Sequence, residues 1–183
     1  MTKPKRPLLY FKNAEEWRAW LHENHESDTG VDLVFYKVTS EQPSMRWEEA
    51  VQVAICYGWI DSTVRKIDED RRKQYFCKRN AKSVWSAVNK AYIEQLVQDG
   101  LMHKSGHKSI EIAKENGSWT ALDDVENGII PDDLQAAFKN NPKAFENYEN
   151  FARGYRKSYL YWLNQAKREA TRQKRIEQII SLC

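Results

Sequence analysis

The sequence predicts an α+β protein: a small, mostly antiparallel sheet of about three strands packed with helices, then a helical C-terminal section ending in a long amphipathic basic helix. Apolar residues recur at helical spacing along the whole chain, whereas β-branched and aromatic runs of strand length fall only in its first half. Glycine and proline are scarce, at seven and five residues of 183, which disfavours a loop-rich all-β sandwich. Seven Trp and nine Tyr argue for a folded chain, long enough for one sizeable core.

The opening segment MTKPKRPLLYFKN is basic, is followed by no apolar run of signal-peptide length, and reads as a short flexible lead-in. Asn13 followed by Glu16 suits a helix N-cap, and Trp17, Trp20, Leu21 and Asn24 continue at helical spacing, so residues 14–24 form the first helix. The turn Ser27-Asp28-Thr29-Gly30 precedes VDLVFYKVT, residues 31–39, a strand apolar on both faces and hence central in its sheet. Ser44 is placed to cap the next helix, whose stripe is Trp47, Ala50, Val51, Ala54 and Ile55 and whose stop is Gly58. Residues 59–67 and 72–79 then form a hairpin around Asp68-Glu69-Asp70-Arg71. Strict alternation in its first strand puts Ile60, Ser62 and Val64 toward the core, and Trp59, Asp61, Thr63 and Arg65 on the other face.

Ser83 is the expected cap of a helix with the stripe Trp85, Val88, Tyr92 and Leu96, stopped at Gly100. A shorter helix near 107–116 ends at Gly117, and residues 118–130 read as irregular. Pro131 and Pro142 suit the first turns of two short helices. A last helix from about Ser158 to Ile180 has the inner stripe Tyr159, Trp162, Leu163, Ala166, Ala170, Ile176 and Ile180. The organisation expected is a core domain over 1–117 and a helical section over 118–183, packed on the core as one unit.

Charge is distributed unevenly beneath a net of only +3. Residues 62–90 carry a net of +6, residues 111–150 a net of −6, and residues 151–183 again +6. Either the acidic middle packs near a basic part, or a basic face is left to attract an anion. Two groups could do so. The first is Trp59, Asp61, Ser62, Arg65, Arg79, Ser83, Trp85, Ser86 and Asn89, where hydroxyls, a helix N-terminus and guanidinium groups would bind a small anionic ligand beside a tryptophan wall. Each member also has an ordinary use, as a cap, an ion-pair partner or a core anchor. The second is the basic row Lys167, Arg168, Thr171, Arg172 and Arg175, which would face a nucleic-acid backbone or an anionic membrane surface, or simply water.

The commoner catalytic signatures are absent: no GxSxG, no phosphate-binding P-loop, no GxGxxG and no HExxH. The four histidines, His22, His25, His103 and His107, come with no convergent carboxylates, so neither a metal nor a cofactor is expected. Cys56, Cys77 and Cys183 are odd in number and far apart, and read as reduced thiols. No stretch approaches the roughly 18 apolar residues of a membrane span.

The segments EEWRAWLHENH, VDLVFYKVTS, AVQVAICYGWIDSTVRKID, KRNAKSVWSAVNKAYIEQLVQDGLM and YLYWLNQAKREATRQKRI resemble the bacterial YdeI/OmpD-associated family, also called bacteriocin-protection proteins. The likeness spans nearly the whole chain. Its most specific parts are GWIDS, the Ser-x-Trp-Ser-x-x-Asn run at 83–89 and the 166–176 segment. It implies a cytoplasmic bacterial protein, linked by name to bacteriocin or antimicrobial-peptide tolerance and to an outer-membrane porin, and it brings no catalytic residues. The reading is therefore a binding or stress-protection protein. The alternative is an enzyme acting on a phosphorylated or carboxylated metabolite, with Asp61 as acid–base.

Overall fold

The computed structural model describes residues 6–183 and divides into two compact units, the first ending at Trp119 and the second running Thr120–Cys183. Residues 1–5 of the expected flexible lead-in lie outside the described residues. The rest of that segment is not a loose leader: Leu8–Tyr10 is a strand, β1. Its backbone runs parallel to β2 (Gly30–Tyr36), with Leu9 opposite Leu33.

The first unit contains a four-stranded sheet in the order β1-β2-β4-β3, where β3 is Trp59–Lys66 and β4 is Arg71–Lys78. One strand more than expected is present, and apart from β1 the pairing is antiparallel. The strand β2 is interior and buried along most of its length, as apolar residues on both faces require. It ends at Tyr36, three residues before the predicted end, and there Ser44 Oγ accepts the Tyr36 N–H from outside the sheet. Ser44 is therefore not the cap of α2 (Trp47–Cys56). That helix begins after Arg46, whose N–H is accepted by Glu49 Oε2 at 2.7 Å.

The helix α1 (Ala14–Asn24) and α2 cover the sheet face that carries Val31, Leu33, Phe35 and Phe76. The Trp17 ring stands edge-on to Phe76 at 5.9 Å and to Trp59 at 6.3 Å, and its indole N–H donates to the Ala50 carbonyl. Burying each such ring is worth about 1.5–3 kcal/mol, so this cluster anchors the unit. Gly58 takes φ +73° and stops α2, as its position required.

The predicted faces of β3 are overturned. Trp59 is fully buried, whereas Val64 and Arg65 are exposed. Asp61 pairs with Phe76 and Val64 with Gln74, so Ser62 and Thr63 together stand opposite Tyr75. This β-bulge adds one residue and resets the alternation, placing Trp59, Asp61 and Val64 on one face.

Two helices complete the first unit, α3 (Ala87–Gln98) and α4 (Lys104–Glu115). The helix α3 is capped by Ser86, which accepts the Asn89 N–H, and not by Ser83. Its buried residues are Ile93 and Leu96, while Val88 is 54% exposed, because five residues place it about 140° around the helix from Ile93.

The second unit is helical: α5 (Asp123–Asn127), α6 (Asp132–Lys139), α7 (Pro142–Asn150), α8 (Arg153–Asn164) and α9 (Glu169–Leu182). The helix α5 lies in the stretch expected to be irregular. Pro142 opens α7, and Pro131 stands one residue ahead of α6 as its N-cap. The core joins Val125, Leu134, Phe138, Tyr148, Leu160, Leu163, Ile176 and Ile179, with the Phe138 and Tyr148 rings 4.9 Å apart.

The single long C-terminal helix is also corrected: residues 165–168 separate α8 from α9. No glycine or proline marks the break. Arg172 and Arg175 reach back to the carbonyls of Leu163 and Trp162, which also accept the Ala166 and Gln165 backbone N–H groups, so both carbonyls are shared across the break. Positive charge there also complements the helix dipole. Ala170, expected in the core stripe, is exposed.

Candidate functional site

The first unit has a cleft of about 600 Å³ where the far end of the sheet meets the start of α2. Phe35 and Tyr36 contribute from β2, Val64 from β3, Arg72 and Gln74 from β4, and Met45, Arg46, Trp47 and Glu48 from the entry to α2. Register explains the grouping. Leu33, Gln74 and Val64 form one rung of the sheet, and Phe35 and Arg72 share the next. The bulge at Ser62–Thr63 is what turns Val64 to this side.

Polar groups meet at the floor. Gln74, only 3% exposed, donates from Nε2 to Asp61 Oδ2 at 2.5 Å, and the same oxygen accepts the Trp47 indole N–H at 3.0 Å. The other end of the Gln74 amide, Oε1, is buried with no protein partner. A buried acceptor left empty costs about 1–3 kcal/mol, so this carbonyl is an unfilled position for a donor. Arg46 and Arg72 stand exposed at the rim with Glu48, and the Arg72 guanidinium lies 5.6 Å from the Phe35 ring centroid. The cleft thus offers apolar walls, two cations and one amide acceptor, a combination suited to orienting a small ligand.

The expected site residues are spread more widely. Trp59 is in the core, with its indole N–H donating to the His25 carbonyl at 3.3 Å. Asp61 supports the floor of the cleft through two N–H donors, and Ser62 is exposed in the bulge. Arg65 pairs across with Lys73 near the hairpin, while Arg79 follows the opposite end of β4. Six residues of strand separate Lys73 from Arg79, about 20 Å at the usual rise, so Arg65 and Arg79 do not share a pocket.

Arg79 is enclosed. Its guanidinium lies 3.4 Å from the Trp85 ring centroid, Nη1 donates to the Val84 carbonyl, and Nε and Nη2 are buried without partners. Burial pulls its pKa down to about 10, opposed by the nearby Asp61 carboxylate, so it remains charged at neutral pH. Trp85 is buried and packs at 5.4 Å against Trp119. Ser83 accepts the Asn80 N–H in a turn, Ser86 caps α3, and Asn89 supplies the capped N–H.

The basic row is divided as well. Lys167 and Arg168 precede α9, and Thr171 is exposed on its first turn. Arg172 grips Asp133 of α6 through two nitrogens and holds that carboxyl below its usual range, while Arg175 stacks 4.9 Å from Trp162. Sequence reasoning missed Gln74, Arg72 and Arg46. The available signal was Gln74 itself, a polar residue on the same strand face as Phe76.

Residues 9–109, more than half of the chain, match the family described as a domain of unknown function (DUF8412). The chain belongs to this family. Residues 127–183 match the Bacteriocin-protection, YdeI or OmpD-Associated family, the one the sequence motifs resemble. The bacteriocin-protection match is confined to the helical unit, however. GWIDS and the 83–89 run lie in the DUF8412 domain. No curated protein and no solved structure matches the chain. No helix among the described residues is long and apolar enough to cross a membrane.

Proposed function

We propose that the protein is a non-catalytic binding protein with a role in bacteriocin protection and stress tolerance, and that its DUF8412 domain holds a small ligand with an apolar body and an anionic group. The unfilled Gln74 carbonyl at the floor of the cleft carries this reading. A ligand N–H or O–H would fill it, Phe35, Met45 and Trp47 would pack the apolar body, and Arg72 and Arg46 would meet the anionic group. Asp61 orients the floor, since both of its bonded partners are N–H donors. The bacteriocin-protection match of the second unit supports the cellular role. A reducing cytoplasm suits three unpaired cysteines whose thiols burial pushes up.

Calorimetric titration of small aromatic and aliphatic carboxylates and phosphates tests this. At least one compound is expected to bind, to alter the fluorescence of Trp47, and to lose tenfold or more affinity in both Gln74→Leu and Arg72→Gln. Absence of any binder, or binding unchanged by both substitutions, rejects the cleft as the site.

A further inference from the structure

The second unit has a pocket of its own, unrelated to the cleft above. It measures about 170 Å³ and lies among the end of α5, the end of α7 and the start of α8. Its walls include Glu126, Tyr148, Glu149, Arg153, Arg156 and Lys157. The three cations are spaced i, i+3 and i+4 on α8 and so share one helix face. Two of them are engaged: Lys157 Nζ pairs with Glu126 Oε2 at 2.6 Å, and Arg153 Nη2 donates to the Glu126 carbonyl at 3.0 Å. Arg156 differs. Half-buried against the pocket, its guanidinium donates to no protein acceptor and meets no carboxylate among the described residues. Beside it Tyr148 is 2% exposed, and its hydroxyl likewise bonds no protein group among them.

We infer that this pocket is a binding site for a small oxyanion, a phosphate or carboxylate group, held by the Arg156 fork with the Tyr148 hydroxyl as a second donor. Planar guanidinium geometry matches both anions through paired N–H donors. Three cations against two carboxylates leave the lining one positive charge in excess, which a bound anion would neutralise. At about 30 Å³ per water, the volume admits roughly six waters, the scale of one phosphate or carboxylate head and not of a nucleotide. The inference stands whether or not the cleft of the first unit binds anything.

Inorganic phosphate and acetate would be titrated into the full chain at constant ionic strength, with chloride as the balancing anion. The Arg72→Gln background would be used so that the cleft contributes little. Phosphate or acetate is expected to bind saturably, and the difference between them identifies the preferred head group. Arg156→Gln should lower the affinity tenfold or more, and Tyr148→Phe about threefold. Lys139→Gln, the same charge change at an exposed position of α6, should leave it within twofold. Arg156→Lys keeps the charge but not the fork, serves if Arg156→Gln fails to fold, and should still lose at least threefold. Chloride acting as well as either oxyanion, no saturable binding, or full affinity in the Arg156 variants overturns the inference.

Discussion

Asp61 and Gln74 face each other across one hydrogen bond but differ in what their loss leaves behind. Removing the Asp61 carboxylate strands both the Trp47 indole N–H and the Gln74 amide N–H. Asp61→Ala should therefore destabilise the first unit by about 1–3 kcal/mol. Gln74→Leu instead removes an acceptor that already has no protein partner and leaves Asp61 with the Trp47 bond. Its stability should stay within about 1 kcal/mol of the parent. Urea unfolding of the two variants makes the comparison. An equal loss in both would mean that the Gln74 side chain as a whole, through its Nε2–Asp61 bond or its carbonyl, matters to folding as much as the Asp61 carboxylate does.

Among the helices, α2 and α4 approach closely at Gly106. A Cβ at Gly106 would stand 2.2 Å from the Cys56 carbonyl oxygen, so only glycine lets the two backbones approach this closely. The N-cap of α4 is His103, whose Nδ1 accepts the Ser105 N–H at 3.3 Å, a role open only to the neutral ring. Its imidazole lies 4.8 Å from His25 and 6.0 Å from His22 of the α1 end, and stacks at 5.0 Å on Tyr57, with Lys104 and Glu26 nearby. Burial first, then the neighbouring His25, Lys104 and His22, lowers its pKa below 6.5. The unfolded chain then binds more protons than the folded one, and stability rises with pH through this window. The full contribution should be present above about pH 6.5 and fall away as pH drops through the lowered folded value. Unfolding free energies measured from pH 7.5 to 5 should show this slope, and His103→Asn, which keeps a capping acceptor, should flatten it.

What was legible at this scale was whatever local spacing encodes. The helix α1 with its Asn13 cap, the stripe of α2, the Gly58 stop and the hairpin all follow from neighbours within a few residues. The strand β1 was not legible, because three residues become a strand only by pairing with β2 more than twenty positions away. The bulge was hidden because WIDSTVRK alternates acceptably in either register. The break before α9 was hidden because no glycine or proline marks it, and the Arg172 and Arg175 contacts across it join residues nine and thirteen positions apart. The cleft inherits these failures: its membership depends on the bulge and on rungs across three strands, so only Asp61 among its supports was foreseen.

At the scale of the molecule, the two units carry separate cores, one built around Trp17, Trp59 and Phe76 and the other around Phe138, Leu160 and Leu163. Leu163 is fully buried, and Leu163→Ala should cost about 2–5 kcal/mol. Amide hydrogen exchange should place that loss in α8 and α9 and leave β2 and β4 unchanged. Matching losses in both units would mean that they unfold as one.

The bulge that redirects Val64 has a second consequence, for self-association. As the outermost strand of its sheet, β3 presents backbone donors and acceptors that another chain could extend into a larger sheet. The irregularity at Ser62–Thr63 interrupts that row, and the exposed Arg65 and Lys66 place like charges wherever two copies would meet. On the opposite margin β1 is only three residues long, a poor template. The departure from alternation that sequence reading could not see therefore also guards the sheet against aggregation.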